Sequence, residues 1–352
     1  MRPRKPTTLI LLLLTSLSLS AQLPRKERAT TCATCHEEQA LPQPATPMAH
    51  AMELPQHNDV LFGHPRLTYR GGGYSYSVVT RNGHSVYLVS DGTKSVSIPI
   101  VWAMGAQAQT WVLERNGNLY ESRVSYYPSI KGLAITTGDE RLTPKTIDEA
   151  VGRPIGMDEA KACFNCHSTN GVIDHRLNLK ALHPGITCER CHAGVHAHAA
   201  GMLAGNSSAP IPQSLGKLTS EDISNFCGQC HRSWETVVRG HWKGQADVRF
   251  QPYRLANSRC FNGADPRISC VACHDPHQQV VRDISYYDAK CLACHGQSFA
   301  ATDSSPSHPK ACPVAKSRCA SCHMPQVSLP NGLLRFTDHQ IRVVKAGEPY
   351  PN

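Results

Sequence analysis

Two stretches of the chain carry a strong hydrophobic pattern, and they differ in kind. Leu9 to Leu19 is mostly apolar, with Arg2, Arg4 and Lys5 before it and small Ser18 and Ser20 at its end. A basic start, a short apolar middle and a small-residue exit predict a secretory leader over 1–20, and the run is too short to make a stable membrane span. The alternative is the same segment left uncleaved as an anchor. The second stretch alternates. In "YRGGGYSYSVVTRNGHSVYLVSDGTKSVSIPIVW", Tyr, Val and Ile alternate with polar residues around Asn82-Gly83 and Asp91-Gly92, and "TWVLERNGNLYESRVSYY" does the same around Asn116-Gly117. A period of two broken by Asn-Gly and Asp-Gly predicts β-hairpins, hence a β-rich module over 65–137. It is read as a packing lid over its neighbour, with docking of a partner or substrate as the alternative.

The remainder, 21–64 and 138–345, shows no sustained period. Composition explains why an ordinary core is not to be sought there. Among 352 residues there are sixteen Cys and nineteen His, against seven Phe and four Trp. So few large apolar side chains make a thin interior, which something else must fill.

That filler is written in a repeat. Cys32-Cys35-His36, Cys163-Cys166-His167, Cys188-Cys191-His192, Cys227-Cys230-His231, Cys270-Cys273-His274, Cys291-Cys294-His295 and Cys319-Cys322-His323 are seven copies of C-x-x-C-H. A zinc ribbon uses two C-x-x-C knuckles per metal and has no need of a His after each. A thioredoxin-type site needs one pair in a βαβ setting that is absent here. Covalent haem attachment needs all three residues: two sulfurs for the two vinyl groups and the next imidazole for the iron. The expected cofactor is therefore haem c, seven copies, each bound by its two cysteines and ligated by its motif His. Haem attachment of this kind takes place outside the cytoplasm, which agrees with a leader and a periplasmic or otherwise exported location. The haems become the core, and the chain without them should not fold.

The haems also change the charge argument. The formal charge of +9 would suit nucleic acid or an acidic surface. Three of those charges leave with the leader, and each ferric haem brings two propionates against one net positive charge, so about seven negative charges bring the sum near zero. Nucleic acid is not an expected partner, and the scattered Arg and Lys read as propionate partners and solubilising surface.

A second His on each iron would make it six-coordinate and suited to electron transfer, whereas an open position would make a binding or catalytic site. Twelve histidines lie outside the motifs. From local context the distal candidates are His50 (with Met48 and Met52 as rivals), His183, His198 (preferred to its neighbour His196), His241, His277, His308 and His339. His57, His64 and His84 fall in or beside the β-rich module and read as surface, with His175 in reserve. Two cysteines, Cys260 and Cys312, have no motif partner. In an oxidising compartment the pair is expected to join as a disulfide, with two unbridged thiols as the alternative.

"CFNCHS", "PGITCERCHAG", "CGQCH", "YRLANSRCF", "CVACHDPH", "CASCHMP" and "FTDHQIRV" together resemble the multihaem cytochromes c related to the tetrahaem cytochrome of ammonia oxidisers and, more distantly, to hydroxylamine oxidoreductase and the pentahaem nitrite reductases. The resemblance spans nearly the whole chain after the leader. It implies short helices and loops wrapped around stacked haems, with bis-histidine ligation that carries over to His198, His277, His308 and His339. It does not carry an activity. No C-x-x-C-K stands here as in the nitrite reductases, and seven motifs stand where the hydroxylamine enzymes have eight. Tyr286 and Tyr287, near a motif, show nothing of those enzymes' cross-link. The expected role is an exported electron carrier between redox partners (other cytochromes or a quinol-linked membrane donor). The alternatives are an oxidoreductase acting on a small nitrogen or sulfur compound at one open haem, or a subunit of a conductive assembly.

Overall fold

The structure is a computed structural model, and it describes residues 32–296, 312–345 and 347–351. The expected leader and His308 lie outside the described residues.

The alternating stretch forms seven antiparallel strands in simple up-and-down order: β1 (Arg66–Gly71), β2 (Tyr74–Arg81), β3 (His84–Ser90), β4 (Ser95–Met104), β5 (Gln109–Arg115), β6 (Asn118–Tyr127) and β7 (Gly132–Ile135). The turn chemistry is the one expected. Asn82 and Gly83 both have positive φ (50° and 77°) between β2 and β3, as do Asn116 and Gly117 (53° and 75°) between β5 and β6. This is the left-handed pair that a two-residue hairpin demands and that Asn-Gly adopts at little cost. Between β3 and β4, the Asp91 carboxylate accepts from the backbone N–H groups of Thr93 and Lys94 and closes that turn.

The sheet curls until β1 packs against β7, giving a nearly closed barrel. Register shifts at Ile100/Trp102 and at Thr110/Val112 supply bulges that help a sheet bend. Alternate residues point inward: Tyr76 and Val78, Tyr87 and Val89, Ile98 and Ile100, Trp111 and Leu113, Val124 and Leu133 are all buried in one cluster. Met52–Glu53 adds to β4 and Gly152–Pro154 to β6, so chain from both sides of the barrel is stitched onto it.

Beyond residue 156 the chain forms short helices: α1 (Met157–His167), α2 (Val195–Leu203), α3 (Ser220–His231), α4 (Trp234–Arg239), α5 (Gln251–Ala256), α6 (Asp288–His295) and α7 (Cys319–His323). A second apolar cluster joins α1 to the barrel through Ala160, Phe164, Met104, Val112 and Leu182, with Phe164 edge-on to Trp102 at 4.9 Å between ring centres.

The C-terminal segment is held differently, by a buried ion pair. Arg254 on α5 grips Asp338 with Nε–Oδ1 2.8 Å and Nη2–Oδ2 3.0 Å. The same guanidinium donates to the Pro351 carbonyl at 2.9 Å and lies over the Tyr350 ring. Arg342 adds a second cation at 2.7 Å from Asp338 Oδ2. Burial pushes the Asp338 carboxyl up, but hydrogen bonds from Arg254 and Arg342 outweigh it and hold the group below the usual carboxylate range.

Candidate haem-binding cavity

In a helical turn, residues i, i+3 and i+4 share a face. C-x-x-C-H read as one turn of helix therefore points both sulfurs and the imidazole the same way. The structure forms that turn in each motif. α1, α3, α6 and α7 end on His167, His231, His295 and His323, while Cys188–Cys191 and Cys270–Cys273 are isolated single turns. At the first motif His36 N–H donates to the Cys32 carbonyl at 2.8 Å. The helices start well: Thr219 caps α3 and Ser269 caps the Cys270–Cys273 turn, each by a side-chain oxygen accepting from a backbone N–H.

These turns converge on one cavity of about 3780 Å³. It is several times the ~300–1,000 Å³ of a small-molecule site, and cysteines and histidines of the first six motifs line it, while the seventh reaches it only through Ala320 and Ser321. No ordinary core fills the space, as the scarcity of Phe and Trp required.

The ring nitrogens of four histidines around it, and of His323 in the seventh motif, are oriented. Nδ1 lies 2.8 Å from the Ala51 carbonyl in His167, 3.1 Å from Gln213 in His192, 3.1 Å from Pro210 in His198, 2.8 Å from Arg342 in His323 and 2.9 Å from Thr337 in His339. A carbonyl only accepts, so the proton sits on Nδ1 and the lone pair on Nε2. That is how metal-ligating histidines are held. Burial lowers the pKa of His167, His231 and His274, and that of His339 to about 4. Neutral imidazole is the form a metal needs.

Three pairs of rings face each other across the cavity. The centroids of His36 and His198 are 6.4 Å apart, those of His192 and His277 6.1 Å, and those of His274 and His339 6.2 Å. Two imidazoles on opposite sides of one iron, at about 2.0 Å per Fe–N bond and about 1.15 Å from nitrogen to ring centre, should sit about 6.3 Å apart. The spacing leaves room for an iron in each pair, so the residues present fit the group.

Other candidates are placed differently. His50 and His183 do not line the cavity. The Nδ1 of His50 lies 2.5 Å from the buried Glu53 carboxylate, and that of His183 lies 3.1 Å from the Pro184 carbonyl. Met48 reaches the cavity wall, whereas Met52 is fully buried in the cluster beneath α1. His241 is exposed, with φ 51°, in the turn after α4 and outside the cavity wall. His196 is exposed and spends its Nε2 on Glu189 at 3.1 Å, which separates it from His198. His64 has both nitrogens engaged on the barrel, by the Val60 carbonyl and the Tyr126 hydroxyl. Tyr287 stands beside His274, with its hydroxyl 3.4 Å from Nδ1, rather than beside the motif that follows it in sequence.

The disulfide expectation is corrected. Cys260 and Cys312 are unbridged and exposed. Cys260 lies against the sixth motif, where Cys291 and Cys294 act on its thiol. Cys312 is occupied by the backbone of Val314 and Ala315. An even count of leftover cysteines does not bring two Cα atoms within the ~7 Å that a bridge requires. Thiol labelling of the denatured, unreduced holoprotein should therefore find two reactive cysteines. Finding none would restore the bridge.

Residues 134–193, which hold the second and third motifs, match the family model for cytochrome c554 and c-prime. No curated protein matches the chain in sequence. Among solved structures, the outer cell wall cytochrome OcwA aligns with a TM-score of 0.50 over 90% of this chain and 79% of its own, at 13% identity. The two findings support a multihaem c-type cytochrome. Cytochromes of that kind carry covalent haem c, and the cysteines and histidines of the motif turns are the residue types that would hold it here.

Proposed function

We propose that this chain is an exported seven-haem cytochrome that passes electrons along a row of bis-histidine haems between redox partners. The observation that carries this reading is the set of three histidine pairs, each joining a motif imidazole to a distal one at 6.1–6.4 Å. In this reading each haem supplies a one-electron couple, and paired imidazoles keep the iron coordination the same in both oxidation states.

Contacts between motifs support a continuous row. The thiols of Cys32 and Cys188 lie close enough to act on one another, bringing the first and third motifs together. Arg190 reaches Asn165, joining the third and second. Cys166 meets Cys230, and Cys227 meets Cys270, which join the second, fourth and fifth. Cys273 and Cys291 act on one another, and the Asp288 carboxylate accepts from the Cys319 N–H at 2.8 Å, which completes the row through the sixth motif to the seventh. The third motif also meets the fourth, through Cys191 beside Cys227 and Cys230, so neighbours in space link 1 to 3, 3 to 2 and 4, 2 to 4, and then 4–5–6–7. Cys35 and Cys322, in the first and seventh motifs, are exposed, so both of these motifs are open to a redox partner.

Export is supported by the leader-like start and by the likeness in fold to an outer cell wall cytochrome. Among the described residues no helix is long and apolar enough to cross a membrane. The partners fitting this role are other cytochromes or a quinol-linked membrane donor. A denaturing mass spectrum should show the chain plus seven haems that resist acid–acetone extraction. Six or fewer would remove at least one motif from the row.

A further inference from the structure

We propose that Asp275 is a positioning residue that gives the haem site of His192 and His277 the lowest reduction potential of the three paired sites. The proposal rests on the reading of His192 and His277 as an axial pair.

The three distal rings differ in what backs them. His198 and His339 donate their Nδ1 protons to the neutral carbonyls of Pro210 and Thr337. His277 alone among them faces a carboxylate, with Nδ1 2.8 Å from Asp275 Oδ1. The same oxygen accepts from the His277 backbone N–H at 2.9 Å, so ring and main chain are fixed by one atom. Both residues line the cavity. The opposite ring, His192, has the Gln213 carbonyl behind it and lies nearly parallel to His277, with 8° between the planes.

A carboxylate on the outer N–H of an imidazole raises the ligand's basicity. A more electron-rich ligand favours the oxidised iron over the reduced one, and second-shell hydrogen bonding is one of the levers that set a haem's potential. The third motif meets the first, the second and the fourth, so an electron passing between the first motif and the rest must climb onto its site. The neutral backing of His198 and His339 places no such step at their own sites.

The test separates charge from geometry. Asp275→Asn keeps Oδ1 as acceptor for both N–H groups and removes the negative charge. In a spectroelectrochemical titration of the holoprotein, one haem of the set should move upward by roughly tenfold in its oxidised-to-reduced preference, about 59 mV for a one-electron couple, while all haems stay low-spin. An unchanged titration would overturn the proposal. So would a high-spin haem in the Asn variant, because the carboxylate would then be holding the ring's place rather than its electrons. His277→Ala distinguishes the two levels of inference. One new high-spin haem there upholds the axial pair whatever the Asn variant does, and an entirely low-spin spectrum would remove the pair itself.

Discussion

Made in a host that cannot attach haem, the chain should keep its β-barrel and lose almost everything else. Limited proteolysis followed by mass spectrometry should recover a protected fragment spanning β1 to β7 and little of the region after residue 156. The reason lies in where apolar side chains are spent. The barrel buries Trp111, Tyr76, Tyr87, Leu113, Val78 and Val89 almost completely in a single cluster. Burying a side chain of this size is worth about 1.5–3 kcal/mol, so the barrel has a core of its own. The helical region has instead a cavity of about 3780 Å³. A space of that size, open to solvent and edged by polar groups, cannot stay dry. Water must enter, and the short helices that now face the cavity then lose what they pack against. Protection of α3, α5 and α6 in the haem-free chain would show that these helices have a core without the cofactor.

The same division decides what could be read in advance. The barrel was legible because a half-buried strand writes its burial as alternation, and because Asn82-Gly83 and Asn116-Gly117 are turns that few other residue pairs can make. Its near-closure was not, since the bulges at Ile100/Trp102 and Thr110/Val112 leave no mark in the sequence. The motif residues were legible because attachment chemistry needs three fixed residues, two Cys and one His, in five consecutive positions. A distal ligand needs only one His anywhere in the chain. Local context favoured His198, His277 and His339, which the structure sets beside motif rings, and offered as the seventh candidate His241, which it places in an exposed turn outside the cavity. Nothing near His198 announces His36 as the ring across from it, because the chain between them includes the whole barrel. One cheap signal would have helped: the Asp275 two residues before His277 is an acidic partner within reach of its ring. Arg254 and Asp338 were missed altogether, since a buried ion pair between distant residues has no local pattern.

Replacing His339 by Ala should convert one haem from low-spin to high-spin and leave the rest unchanged. In the structure this histidine stands beside His274 at 6.2 Å between ring centres, is partly buried on the cavity wall, and has a pKa lowered by desolvation to about 4, so it stands neutral with Nδ1 engaged and Nε2 left for a metal. The adjacent Asp338 does not orient it. The Thr337 carbonyl takes the Nδ1 proton, and Asp338 turns away to Arg254 and Arg342. That separation makes the experiment clean. The tail is tied down by the Arg254–Asp338 pair, whose rupture would cost about 3–5 kcal/mol, and by the His339 carbonyl accepting from Ser258 at 3.1 Å. None of these contacts uses the imidazole, so the Ala variant keeps its fold while the iron opposite His274 loses a ligand. The reduced protein should then bind carbon monoxide at that one haem, and its potential should rise as the second imidazole is lost. The altered haem must be the one carried by Cys270 and Cys273. If all haems stay low-spin in His339→Ala, or if the one that changes belongs to another motif, His274 and His339 do not share an iron.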